Sequence, residues 1–173
     1  MIGILLNDTA YEQDIRELLM AFYPGETFVH EKQDDVTFYI EGTRTDDGEE
    51  TRFRLQVEEP DGKTVDETEF PIDYAVRLNA KTAIKKEFYG MLKKRTGKEL
   101  PWGTLTGIRP TKIAMTRLDH GEDEENIRTF MRDTYLTSEE KIDLSIEIAE
   151  RERELLSHID YENGYSLYVG IPF

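Results

Sequence analysis

The chain reads as an α+β protein: a small mixed β-sheet with one helix, in the order β-α-β-β-β, followed by a helical subdomain. Three observations predict this. Before residue 74, apolar and polar residues alternate in several short runs, the period of half-buried strands. From residue 75 onward the apolar spacing changes to the helical period. Turn-forming residues punctuate the first part at Pro24-Gly25, Asp46-Asp47-Gly48 and Pro60 to Gly62.

In order, residues 2–6 (Ile-Gly-Ile-Leu-Leu) form a short apolar strand, and any of Asn7, Asp8 and Thr9 can cap the helix that follows. On that helix Tyr11, Ile15, Leu18, Leu19 and Phe22 line one face, and Pro24-Gly25 ends it. Residues 27–30 read as a strand, 32–35 as a turn. Val36, Phe38 and Ile40, then Phe53, Leu55 and Val57, alternate with polar partners as hairpin strands with one wet face. Residues 58–69 read as a charged turn or hairpin tip, with a further strand near 68–72. A helix is expected over 75–98, with Val76, Leu78, Ala80, Ala83, Ile84, Phe88, Met91 and Leu92 on its apolar face and Gly97 as its stop. Pro110 suits the first turn of a second helix, and a third covers 124–135. The last starts at a capping-box pattern, Thr137-Ser-Glu-Glu140, and runs to about 158. Its stripe is Ile142, Ile146, Ala149 and Leu156, with Leu144, Ile148 and Leu155 beside it. Residues 165–173 read as a buried strand. The expected domains are therefore 1–74 (α+β head), 75–160 (helical subdomain) and 161–173 (a strand).

Composition narrows the function classes. The chain has 173 residues, a net charge of −15 and no cysteine, so disulfides and thiolate metal sites are absent from it. The acidic balance argues against nucleic acid as a partner. No apolar stretch approaches the roughly 20 residues that span a bilayer, so a membrane partner is not expected. With no basic leader at the start, a cytoplasmic location is the expectation. Charge is unevenly distributed. From Arg77 to Arg117, 11 basic residues stand against only Glu87 and Glu99, a local balance of +9. Two readings follow: a solvated helix face docked against acidic neighbours, or an anion-binding surface.

The segment Leu100-Pro-Trp-Gly-Thr-Leu-Thr-Gly-Ile-Arg-Pro-Thr-Lys112 concentrates unusual residues, including the single Trp. Pro110 places a helix N-terminus after Arg109, where free N–H groups and the helix dipole favour anions. Arg109 adds a planar fork suited to carboxylate or phosphate, Lys112 a second cation, and Trp102 a ring for stacking or for the core. The alternative is a rigid helix–helix connection whose Arg and Lys pair with neighbouring acids.

This segment, followed downstream by Tyr168-Val-Gly-Ile-Pro-Phe173, resembles the oxygen-independent coproporphyrinogen III dehydrogenases, specifically their longer HemZ-type relatives of the radical S-adenosylmethionine family. The terminal hexapeptide looks like the first strand of the radical barrel. In that family the next residue is the first cysteine of a Cys-x3-Cys-x2-Cys loop, so the resemblance implies a chain cut just before its cluster ligands. It implies a [4Fe–4S] cluster and S-adenosylmethionine in the parent protein, with neither bound by this stretch. It also implies a radical that abstracts hydrogen from two propionates of coproporphyrinogen III in turn, with loss of carbon dioxide each time. Tyr168 is the position carried over as lying near the cluster and S-adenosylmethionine. Arg109, Lys112 and Trp102 are candidate contacts to the tetracarboxylate substrate. The implied partners are that porphyrinogen and the protein's own C-terminal radical domain, and this stretch is expected to hold no catalytic residue.

Other candidates are weaker. His30, His120 and His158 lack ligand-like spacing, and the acidic runs 46–50 and 122–125 lack the alternating oxygens of a calcium loop. Different in class are a tetrapyrrole- or haem-binding module of a haem-handling protein, and a plain protein-docking domain. Leu167, Val169 and Ile171 are expected to be covered, either by a second copy or by the helical part.

Overall fold

A computed structural model describes residues 1–107 and 109–157, together with 164, 165, 167, 169 and 170. A five-stranded mixed sheet has the order β2-β1-β3-β4-β5. Its strands are β1 (Ile2–Leu6), β2 (Phe28–Val29), β3 (Phe38–Asp46), β4 (Thr51–Glu58) and β5 (Thr64–Pro71). β1 runs parallel to both neighbours, and β3, β4 and β5 form an antiparallel meander. Between β1 and β2 comes a short 3-10 turn and helix α1 (Glu12–Phe22). Of the three residues able to cap this entry, Asp8 does so: its carboxylate accepts from the Ala10 N–H at 3.0 Å.

The strand at 64–71 is longer than the expected one near 68–72, and it replaces most of the anticipated turn. Apart from Phe70, which pairs with Phe53, its central residues are polar or charged, which is why apolar alternation did not mark it. Glu69 pairs with Arg52 and Arg54 across the ladder, and Gln56 donates to Glu67. Charged cross-strand pairs suit an edge strand, where they also discourage pairing with another chain.

Helix α2 (Arg77–Thr96) lies over the sheet and ends at Gly97, whose N–H donates to the Lys93 carbonyl and whose left-handed φ of 68° turns the chain out of the helix. Ala80, Ile84, Phe88, Met91 and Leu92 enter the same core as Ile15, Leu18 and Phe22 of α1 and Phe53 and Leu55 of β4. The first core therefore runs through α2 rather than stopping at residue 74. Val76 and Leu78 do not share that buried face and are 47 % and 58 % exposed. At about 100° per residue, Leu78 sits roughly 120° around the helix from Ile84. It shares a side instead with Thr82 and Lys85.

Helices α3 (Thr111–Asp119), α4 (Glu124–Tyr135) and α5 (Glu139–Leu156) build a second core from Ala114, Leu118, Ile127, Met131, Ile142, Ile146 and Ala149. α4 begins with Asp123 accepting from the Asn126 N–H at 2.8 Å. The capping box expected at residues 137–140 does not form. The N-cap is Ser138, whose side chain makes no capping bond, and the Thr137 hydroxyl is buried without a partner among the described residues. The Ser138 N–H is held by the Pro101 carbonyl at 2.9 Å. The helix thereby starts one residue late, and the third helical position falls on Lys141, which has no acceptor to return to the cap.

The five described residues between 164 and 170 belong to no strand. Leu167 and Val169 are 77 % and 72 % exposed, so the helices do not cover them. Ile171 and Tyr168 lie outside the described residues. No helix among the described residues is long and apolar enough to cross a membrane.

Candidate functional site

The connection between α2 and α3 ties the two cores together. The Leu100 N–H donates to the Tyr89 hydroxyl at 2.9 Å. The Thr104 N–H and hydroxyl both reach the Tyr135 carbonyl at the end of α4, at 2.8 and 3.2 Å. Gly103 sits between them with φ of 56°, and a Cβ there would fall on the carbonyl oxygens of Tyr135 and Leu136. Only glycine meets both demands, a left-handed backbone and contact with a neighbouring main chain.

Three residues further on, Thr106 closes a relay. Lys85 Nζ donates to its hydroxyl at 2.6 Å, and that hydroxyl donates to Glu17 Oε2 at 2.9 Å. Gln13 donates to Glu17 Oε1 at 3.1 Å. Beside this relay, Lys81 pairs with Asp14. Lys85 is only 4 % exposed. Burial and then the charge of Lys81 push its pKa down, against the pull of Asp14 and Glu17. Burial works to raise the Glu17 pKa, but hydrogen bonds from Gln13 and Thr106 and the charges of Lys85 and Lys81 outweigh it and hold the carboxyl low.

A pH dependence follows. Because Lys85 in the folded chain loses its proton below the ordinary lysine value of 10.5, the unfolded chain binds more protons in the window up to that value. Its contribution to stability therefore rises with pH across the window. Urea unfolding from neutral pH toward pH 10.5 should show a smaller rise in Lys85→Met than in the parent chain. Equal slopes would contradict a charged, buried Lys85.

The basic block resolves into paired and unpaired members. Lys81, Lys93, Lys94, Arg95 and Arg117 pair with Asp14, Glu99, Asp66, Glu59 and Glu122. Arg77, Lys86 and Lys98 donate to main-chain carbonyls, and Lys85 to Thr106. The acid-docked reading holds for five of the eleven basic residues. Arg109 and Lys112 are left over: both are exposed, and neither meets a carboxylate among the described residues. With Ile113, Thr116 and Arg117 they line a depression of about 370 Å³ along the start of α3. Arg117 is itself fixed there, stacked on the Phe130 ring with its guanidinium carbon 3.3 Å from the centroid.

Trp102 does not line this depression. It is half-buried and faces Lys141 of α5, whose Nζ is 5.8 Å from a ring centroid. Tyr168 lies outside the described residues. The relay of Lys85, Thr106 and Glu17 went unseen in the sequence, since a lysine among other lysines on a helix reads as solvated. The available signal was its place one residue after Ile84 and three before Phe88.

Among the described residues, no three His, Asp or Glu side chains gather as metal ligands. Without cysteine, the chain also lacks the thiolates that would hold an iron–sulfur cluster.

Comparison with known proteins is narrow. The chain is 35 % identical over 94 residues to the oxygen-independent coproporphyrinogen-III oxidase-like protein HemZ of Bacillus subtilis (strain 168). That similarity covers 54 % of this chain and 19 % of the relative, so the chain spans about a fifth of the length of the protein it matches. No family model and no solved structure matches it.

Proposed function

We propose that this chain is an accessory N-terminal region of a radical S-adenosylmethionine enzyme that oxidatively decarboxylates coproporphyrinogen III to protoporphyrinogen IX in haem biosynthesis. The supporting observation is the similarity to HemZ. The two motifs at 100–112 and 168–173 agree with it. Since the donor set here has no thiolate, the cluster that supplies the radical chemistry would be held by residues outside this sequence, and no redox step is assigned to residues within it.

In this reading the contribution of the chain is electrostatic. Arg109 and Lys112 present two uncommitted cations beside a depression, and the proposed substrate carries four carboxylates. A guanidinium pairs with a carboxylate through two parallel hydrogen bonds, whereas an ammonium acts as a point charge. Arg109→Ala in the complete protein is expected to raise the KM for coproporphyrinogen III about tenfold, and Lys112→Ala less, with kcat little changed in both, as for loss of a charge-assisted bond. Unchanged KM in both variants would remove the substrate-contact role. Porphyrin binding by a well-folded complete protein that releases no carbon dioxide would instead support a haem-handling role.

A further inference from the structure

A second cleft, separate from the Arg109 depression, runs along the outer face of α2. Its deep end, about 140 Å³, is lined by Lys81, Lys85, Thr82 and Thr106. It opens into a depression of about 460 Å³ toward α4, walled by Ala83 and Phe130. Leu78, Thr82 and Tyr135 line both parts, so the two are continuous. The narrow end sets Lys81 and Lys85 among Leu78, Leu105 and Tyr135, and the broader end adds the apolar walls of Ala83 and Phe130 together with Lys86 and Glu87.

Two lysines at the deep end stand near two carboxylates, Asp14 and Glu17, and Glu17 reaches Lys85 only through the Thr106 hydroxyl. Lys81 has Asp14 as an ion-pair partner. Lys85 has no carboxylate within ion-pair distance among the described residues, although it is 4 % exposed. Of the three N–H donors of an ammonium, the structure commits one, to Thr106. A buried cation with donors to spare favours an anion beside it. Leu78 explains the other half of the cleft: it is 58 % exposed and stands over the junction, where an apolar body would cover it.

The geometry points to a binding site for a small carboxylate with an apolar body, its carboxylate against Lys85 and its body between α2 and α4. This site does not depend on the function proposed above. The deep end is too small for a folded partner and is sized for a carboxylate and the atoms next to it.

The test uses the 173-residue chain with 2-naphthoate as probe and 2-naphthamide as its neutral counterpart, followed by 15N-resolved NMR and calorimetry. Saturable 2-naphthoate binding is expected, with shifts confined to the amides of residues 78–86, 104–106 and 135. The amide should bind at least about tenfold more weakly, as should the acid to Lys85→Met. Thr82→Phe blocks the junction while leaving the Lys85–Thr106–Glu17 relay in place, so it reports on the cleft even if Lys85→Met folds poorly. It too should weaken binding about tenfold. No binding of the acid up to about 1 mM would overturn the proposal. So would equal affinity for acid and amide, unchanged affinity in Thr82→Phe, or shifts centred on Arg109 and Arg117.

Discussion

Gly103→Ala is expected to destabilise the chain by about 2–4 kcal/mol, read by urea unfolding. Two costs combine. A left-handed φ disfavours any Cβ by roughly 1 kcal/mol, and overlap with packed neighbours adds about 1–3 kcal/mol. The neighbours here are the main-chain oxygens of Tyr135 and Leu136, which no side-chain rotation can move aside. Gly97 provides the control. Its φ is 68° and nothing lies within 4 Å of where a Cβ would be, so Gly97→Ala should cost only about 1 kcal/mol. Equal losses at the two positions would mean that the connection is not held against α4 as described. The Gly103 variant should also loosen the relay through Thr106, three residues away, because the Thr104 bonds to Tyr135 set the course of the chain between them.

Phe88→Ala is expected to cost about 3–5 kcal/mol, the usual range for emptying a fully buried phenylalanine site. Phe88 is 0 % exposed in the core shared by α1, α2 and the sheet. α2 and the sheet should therefore lose stability together, with helical and near-ultraviolet signals shifting to the same lower urea midpoint. Leu78→Ala, ten residues earlier on the same helix, should change stability by no more than about 0.5–1 kcal/mol. Comparable effects at the two positions would contradict the orientation of α2.

That pair of residues also shows where sequence reasoning succeeded and where it fell short. The extent of α2, its stop at Gly97 and its burial of Ile84 and Phe88 were legible, because helical periodicity and a left-handed C-cap are local properties. The place of Leu78 was not, since periodicity alone defines an apolar side without saying how wide the partner surface is. β5 was legible only near its end, at Phe70 and the following Ile72, because the residues before them are mostly polar or charged. The capping pattern at residues 137–140 was present but unused, overridden by a single long-range bond from Ser138 to Pro101. At the site, Arg109 and Lys112 were singled out by neighbouring prolines and glycines, which are local signals. Lys85, Thr106 and Glu17 are 21 and 89 residues apart along the two bonds that join them, and no local pattern reports such a meeting. Trp102 was conspicuous by rarity, and the structure sets it against Lys141 instead of the Arg109 depression.

The most direct test of the proposed function is made on the complete protein encoded with this sequence, reconstituted anaerobically with iron and sulfide and reduced for electron paramagnetic resonance. The account predicts a [4Fe–4S] signal that changes when S-adenosylmethionine is added. A well-folded complete protein that shows no cluster would contradict it.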